Sequence, residues 1–455
     1  MTRVRYHFSG IAGQGMNPLA RLMRARGHEV QGSDRAFDQG KQADLAATLR
    51  GLGIALYPQD GSAITAAVQR FVYSTAVEAD TPEALAARRL GIERVPRPGL
   101  LAEVVNAGAP GVAVAGTSGK STVTGMIGWI LRRATVPATV LGGAALVGEG
   151  VSGCFAAGPR DAAVVAEACE SDGTLVGYHP GLGVILNVSR DHDEVSSLRA
   201  QFGTFAKQCR TLLVNAACDE ARALGAEHGA RTFGRAADAT YRLEVASTGP
   251  DRAGGTLRGP DAGIALDIPQ PGVHNLENAA AAATVALVLG VAPDTIGAAL
   301  RDFPGVARRF QIVGITPRGI RVVDDYAHNA DKIRAAMSTA QGAGRVVAVF
   351  QPHGFGPARF LRPELRELIP RLLRPGDRFC YAEIFYAGGT VAQDISSRDL
   401  AADLPPGLGV TCAPDHAAVV RWIGEDVRPG DTVLIMGARD PDLPALARAA
   451  FAALA

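Results

Sequence analysis

The stretch VAVAGTSGKSTVTGMIGWIL, Val112 to Leu131, constrains this chain more than any other. Val112 to Ala115 read as a short buried strand, and Val123, Met126, Ile127, Ile130 and Leu131 recur at helical spacing on one apolar face. Between them lies the loop Gly116, Thr117, Ser118, Gly119, Lys120, Ser121, with Thr122 just beyond. The backbone N–H groups of such a loop, with the helix N-terminus, form a nest for an anion. Lys120 then reaches the terminal phosphates of a nucleotide, and the Ser121 hydroxyl a Mg²⁺ ion. The full spacing G-x-x-x-x-G-K-S/T is not met, because Val114 stands where its first glycine belongs, so a plain strand-to-helix turn competes with this reading. Lysine usage favours the nucleotide. The chain has four lysines, Lys41, Lys120, Lys207 and Lys332, among 46 basic residues. A lysine kept at the loop's end, where arginine is the habit elsewhere, suits a need for a compact ammonium.

At 455 residues the chain is too long for one core. Short apolar runs alternate throughout with Ala/Leu/Arg-rich helical runs, the pattern of parallel α/β sheets. Three α/β domains are expected: a Rossmann-like domain over 1–109, a central P-loop ATPase-type domain with a parallel sheet over 110–311, and a second Rossmann-like domain over 312–455. A formal net charge of +1 without a basic run gives no footprint for nucleic acid or an anionic membrane. No apolar run approaches the ~20 residues of a membrane span, and the N-terminus lacks a signal-peptide core, so a cytoplasmic protein is expected. The six cysteines form no C-x-x-C pair and are read as reduced thiols.

Other segments supply chemistry. SGIAGQGMNPLARLMRARGHEVQGSD places Gly10, Gly13 and Gly15 between a strand and a helix, and Ser33 and Asp34 at the end of the next strand. That arrangement is like a dinucleotide fingerprint, with a diphosphate on the helix N-terminus and an acidic residue near a ribose. Its spacing is G-x-x-G-x-G, so tight helix–strand packing competes. VVAEACESDG sets Glu167, Glu170 and Asp172 after an apolar run, and GVILNVSRDHDE sets Asn187, Asp191 and His192 after another. Carboxylates at strand ends beside a phosphate loop suit Mg²⁺, while each cluster alone also reads as a solvated strand end. In GVHNLENAAAAATVAL, His274, Asn275 and Asn278 open an Ala-rich helix that asparagine could simply cap.

Taken in order, G-T-x-G-K-S-T, E-A-x-E-S-D, N-x-x-x-D-H, H-N-x-x-N, R-R-F-Q and D-D-Y resemble the Mur ligase family, ATP-dependent amide ligases that build the peptidoglycan stem peptide. The resemblance spans nearly the whole chain. GIAGQGMNPLA, VYSTAVEADTPEALAARRLGI and FQPHGFGPARFLRPEL are most similar to its alanine-adding branch. It implies that Lys120 binds the β- and γ-phosphates, that Ser121 holds one Mg²⁺, and that Glu167 and His192 hold a second. It further implies Asn275 and Asn278 at the adenine, Asp325 at the ATP ribose, and Arg309 at the γ-phosphate. Gly10, Gly13, Gly15, Ser33, Asp34, Ser74 and Thr75 would cradle the UDP part of the substrate, with His328 and His353 in the acceptor loops. The implied cofactors are ATP and Mg²⁺. The implied partners are a UDP-N-acetylmuramate-type nucleotide sugar and a free amino acid, L-alanine first, handled by a monomer or weak homodimer that closes between domains.

The chain departs from the branch's pattern at Ser118, which replaces a histidine, and at Cys169, which replaces an aspartate. It departs again at Ala327, Asn329 and Ala330, and at Gly354 to Pro357, where two arginines are lost. These last changes fall in the acceptor loops, so another amino acid or a recycled peptide is the alternative acceptor, and a non-ligase nucleotide-binding protein a further one. A kinase would need no H-N-x-x-N segment, and an oxidoreductase would leave Lys120, Glu167 and His192 unexplained. Lys207, fifteen residues after His192, matches the place where some family members carry a carbamylated lysine, but reads better as an exposed helix lysine.

Overall fold

The structure, a computed structural model, describes residues 3–74, 80–149, 153, 155–170, 173–189, 195–260, 263–386 and 391–455. Its mixed α/β fold is built on three sheets, as the alternating pattern predicts. The first orders strands Ala55–Tyr57, Glu29–Ser33, Arg5–Ser9, Arg70–Tyr73 and Glu93–Pro96 side by side, every pairing parallel. Parallel neighbours need crossovers, and the helices provide them. Met16–Ala25 buries Met16, Leu19, Ala20, Leu22 and Met23, and Pro82–Arg89 starts at Thr81, whose side chain caps Ala84 N with Pro82 in the first turn. Strand order reverses between Arg5–Ser9 and Arg70–Tyr73, the switch point where open α/β sheets bind ligands.

The second sheet has ten strands. At its centre, Gly111–Ala115 runs parallel between Ala163–Ala168 and Leu182–Ile185, with Val114 opposite Glu167 on one side and Ala115 opposite Ile185 on the other. All five residues of the central strand are buried, which accounts for its continuous apolar run. Helix Lys120–Arg133 follows, and Val123, Met126, Ile127, Ile130 and Leu131 form its buried face as the spacing predicts. Tyr241–Thr248, Ala253–Arg258 and Gly263–Ile268 extend one edge of the sheet. The third sheet orders Gln311–Ile315, Arg321–Asp325, Thr432–Gly437, Val346–Gln351, Arg378–Ala382 and Val410–Ala413. Only its first pairing is antiparallel.

By packing, the chain forms two compact units: Met1–Ala246 with Gly254–Ile268 and Leu276–Pro304, and Ser247–Ala253 with Pro269–Asn275 and Gly305–Ala455. Sheet one and all of sheet two but Ser247, Thr248 and Ala253 lie in the first unit, and sheet three lies in the second. Among the described residues, no helix is long and apolar enough to cross a membrane, and Cys169, Cys209, Cys218, Cys380 and Cys412 are free thiols.

Close packing at the start of the central strand yields a stability contrast. A side chain at Gly111 would overlap the Val105 carbonyl oxygen, whereas one at Gly424, in helix His416–Asp426, meets open space. Gly111→Ala is expected to cost about 3 kcal/mol or more and to lower the melting temperature by roughly 5–10 °C. Gly424→Ala should raise stability by about 0.5–1 kcal/mol. Thermal denaturation of the two variants checks both signs.

Candidate active site

The phosphate loop forms where the central strand of the second sheet ends. Gly116 (φ +142°) and Gly119 (φ +88°) take conformations that favour glycine, and the space beside them is filled. A Cβ at Gly119 would lie 2.6 Å from Asn278 Oδ1, and one at Gly116 2.9 Å from Leu186 Cβ. Gly119 leaves the N-terminus of the 14-residue helix without a side-chain cap, so its first N–H groups are directed at the loop. The neighbouring strand end braces the turn. Asn187 Oδ1 accepts from Thr117 Oγ1 (2.7 Å) and Ser118 N (2.8 Å), and Thr117 Oγ1 also lies 2.8 Å from Ser189 Oγ.

Lys120 Nζ donates to Glu170 Oε2 at 2.8 Å and to the Gly116 carbonyl at 2.5 Å. Burial alone would lower the Lys120 pKa, but Glu170, Cys169 and Glu167 outweigh it and the pKa is raised, so the ammonium keeps its charge. The Glu170 carboxylate thus occupies the kind of position an incoming phosphate oxygen would take. Ser121 Oγ donates to Glu167 Oε2 at 3.1 Å, and Glu167 Oε1 accepts Gly143 N at 2.5 Å. One hydroxyl and one carboxylate side by side fit Mg²⁺, which takes few protein ligands and keeps water and phosphate for the rest. Among the described residues, no group of three or more His, Cys, Asp or Glu side chains is arranged around a metal position. His192 and Asp191 lie outside the described residues, as do Asp172 and Thr75.

The glycine loop of the first domain faces this machinery within the same unit. A side chain at Gly153 would strike Pro18 Cγ and Gly142 O and touch Gln14 O, so the start of helix Met16–Ala25 lies close to the turn carrying Gly143 and hence Glu167. Gly10 (φ +80°) lets the chain double back, and Gly10 N and Ile11 N donate to Ser33 O at 2.9 and 3.0 Å. Asp34 Oδ2 accepts Ala12 N and Oδ1 accepts Ala36 N, both at 2.9 Å, while burial raises its pKa against those bonds. Asp34 therefore pins the loop as well as closing the next strand.

Beneath the loop, Glu83 gathers a fully buried network. Its carboxylate meets His7 Nε2 at 2.8 Å and accepts Ser9 Oγ and Ser33 Oγ at 2.5 Å each. Burial pushes the Glu83 pKa up, but His7 and the two serines overcome it and hold it below the usual range. Ser33, expected at the substrate, thus turns its hydroxyl into the floor. Ser74 follows directly on strand Arg70–Tyr73, across the switch point. Sequence reasoning missed Glu83 and two further residues. Arg97 packs against the loop, its Cδ 3.1 Å from where a Gly15 Cβ would sit. Asn17 is fully buried, and among the described residues neither carboxamide atom has a hydrogen-bond partner, a cost of about 1–3 kcal/mol that a bound polar group would relieve. The one signal for Arg97 was its position opening a helix just past the last strand of its sheet.

In the second unit, Asp325 Oδ2 accepts Phe310 N at 2.6 Å and Oδ1 accepts Ala327 N at 2.7 Å. Burial raises the Asp325 pKa, with Arg309 pulling the other way, and burial pushes that of neighbouring Asp324 up to about 6. The Arg309 and Arg308 guanidinium carbons lie 4.6 and 4.9 Å from the Tyr326 ring centroid. Arg308 and Phe310 both adopt positive φ, of 59° and 47°. His328 and His353 come together with ring centroids 5.0 Å apart, and Lys332 Nζ approaches His328 Nε2 at 3.4 Å. Asn275 donates to the Pro271 carbonyl at 2.8 Å, one helical turn before Asn278. Lys207 is exposed on helix Val195–Gln208.

Family profiles match in sequence order: the Mur ligase family catalytic domain over 5–108, the Mur ligase middle domain over 114–286, and the Mur ligase glutamate ligase domain over 308–439. The chain is 39% identical to UDP-N-acetylmuramate–L-alanine ligase of Arthrobacter sp. (strain FB24) over 94% of its own length and 90% of that protein. The chain belongs to the Mur ligase family. A second relative of the same name, from Kineococcus radiotolerans, is 35% identical over 96% of this Mur ligase and 93% of its own chain. The crystal structure of UDP-N-acetylmuramate-alanine ligase MurC from Thermotoga maritima superposes with a TM-score of 0.80 at 25% identity, covering 99% of each chain. A murein peptide ligase from Psychrobacter arcticus shares the fold at a TM-score of 0.67 and 20% identity, covering 99% of this chain and 98% of its own.

The Lys120 geometry makes a test of the preference for lysine. Lys120→Ala and Lys120→Arg are both expected to weaken ATP binding about tenfold or more, the value of one charged hydrogen bond, because the space between Gly116 O and Glu170 admits an ammonium. Calorimetric titration with ATP and Mg²⁺ checks this; parent-like affinity in the arginine variant would contradict it.

Proposed function

We propose that this Mur ligase joins L-alanine to the carboxylate of UDP-N-acetylmuramate through an acyl phosphate, releasing ADP and phosphate, in peptidoglycan synthesis. The observation carrying this reading is near-full-length identity of 33–39% to relatives named for that reaction, joined to the Lys120 and Ser121–Glu167 geometry at the phosphate loop. Both nucleotide substrates are cytoplasmic compounds, so the cytoplasm is the proposed location. The proposed domains are 1–109 for the UDP sugar, 110–311 for ATP and 312–455 for the amino acid.

The residues divide the work by charge. Bringing a carboxylate to a triphosphate sets anion against anion, and the fixed positive groups offset that repulsion. Lys120 holds its proton at Nζ and exchanges Glu170 for phosphate oxygens. Ser121 would hold one Mg²⁺ and Glu167 with His192 a second, ions that supply further neutralisation of the phosphates when bound. Asn187 and Ser189 fix the loop through Thr117 and Ser118. Gly10, Gly13 and Gly15 present backbone to the diphosphate, with Arg97 alongside and Glu83 keeping the loop's anchor rigid. Arg309 is assigned to the γ-phosphate and Asp325 to the ATP ribose. Asn275 and Asn278 are assigned to the adenine, and His328 and His353 to the acceptor.

The reading is tested by ADP release with ATP, Mg²⁺ and UDP-N-acetylmuramate across a panel of single amino acids and short stem peptides. L-Alanine is expected to raise ADP release and to yield a product heavier by alanine less water. Stimulation by a stem peptide in its place would make the chain a recycling ligase, and no response to any amine would overturn the reading.

A further inference from the structure

Arg439 occupies a position that an arginine rarely takes. It lies two residues beyond strand Thr432–Gly437, the strand of the third sheet flanked by Arg321–Asp325 and Val346–Gln351. Its φ is +52°, and Asp440 N donates back to Ala438 O at 2.5 Å, closing a three-residue turn around it. A γ-turn with positive central φ is the rare and strained hand, and it disfavours any residue but glycine. The surroundings enforce the turn. Ala438 and Asp440 are buried on either side, Asp440 Oδ1 accepts Asp442 N at 2.8 Å, and Asp440 Oδ2 lies 3.5 Å from His416 Nε2. The Arg439 side chain itself is exposed, and among the described residues it has no hydrogen-bond or ion-pair partner.

Its neighbours at this end of the sheet are the acceptor-loop histidines. Gly437 pairs with Gln351, two residues before His353, and Met436 pairs with Asp325, three before His328. Ligands of open α/β sheets bind outside the carboxyl ends of the strands. Other cations at this end are engaged: Arg308 with Asp324 and Gly437 O, Arg309 over Tyr326, Lys332 with His328, and Arg359 with Asp394. A free amino acid carries one fixed anion, its α-carboxylate, and a guanidinium matches that group through two parallel N–H bonds. We propose that Arg439 binds the α-carboxylate of the acceptor amino acid and so selects a free amino acid over a carboxyl-blocked one. The assignment rests on the amide-ligase reading above.

The test is steady-state kinetics of the full-length parent, Arg439→Gly and Arg439→Lys with L-alanine and with L-alaninamide, beside their melting temperatures. Glycine relieves the turn, so Arg439→Gly should melt at or above the parent temperature. Its KM for L-alanine should rise about tenfold or more, with kcat and the KM values for ATP and UDP-N-acetylmuramate within about twofold. The preference for L-alanine over L-alaninamide in kcat/KM should fall about tenfold, and Arg439→Lys should be intermediate. A parent active with L-alanine whose glycine variant keeps both the alanine KM and the preference overturns this assignment alone. A raised KM for ATP in its place also overturns it. A parent that releases ADP with no amine overturns the ligase reading and this assignment together.

Discussion

The parallel pairing of Gly111–Ala115 with strands on both sides is the constraint on which the active site rests. In a parallel sheet every strand ends on the same edge, so residues far apart in sequence emerge side by side. Glu167 and Glu170 come from one neighbour and Asn187 and Ser189 from the other, and both sets meet the loop that follows the central strand. The central strand tolerates no polar or bulky residue because both faces are covered, and only glycine fits at its start because Val105 O lies against it. Burial of this strand and of the helix after it fixes the loop's position. The loop then needs glycine at 116 and 119, since Leu186 and Asn278 fill the space a side chain would take.

The surfaces proposed for ligand binding carry unfavourable local arrangements that the surrounding fold sustains. Among the described residues the buried Asn17 carboxamide has no hydrogen-bond partner, and Arg308, Phe310 and Arg439 keep left-handed backbone. Of the five non-glycine residues with positive φ among the described residues, these three lie in the second unit, and Arg308 Nη2 donates to the Gly437 carbonyl two residues before Arg439. Strain concentrated in this way fits the acceptor site proposed for this end of the third sheet. Glu83 is the opposite case. It is a buried charge with all its contacts made, at the base of the switch-point crevice, and it converts His7, Ser9 and Ser33 into a rigid support for the glycine loop.

Much of this was legible in the sequence because it depends on local rules. The strand–loop–helix at Val112–Leu131 follows from apolar periodicity and two glycines, and the α/β class from the alternation of short and long runs. Ser121 and Glu167 were each legible as an oxygen suited to Mg²⁺, on separate ions; that the two side chains meet was not. What was not legible depends on strand order. Nothing in VVAEACESDG says that Glu170 will reach Lys120, and nothing in TPEALAARR says that Glu83 will turn inward to His7, 76 residues earlier. Asp34 and Asn275 illustrate a second limit: residue type suggested ligand contact, and the fold also gives each a backbone group to hold. Arg439 was invisible for a third reason, because an arginine after an apolar strand is ordinary until its backbone conformation is known.

In the proposed reaction the substrate carboxylate becomes a phosphorylated acyl group before the amine attacks. UDP-N-acetylmuramate labelled with ¹⁸O in that carboxylate, turned over with ATP and L-alanine, tests it directly through the mass of the released phosphate. The account predicts one labelled oxygen transferred to inorganic phosphate per amide formed. Unlabelled phosphate accompanying amide formation would contradict it.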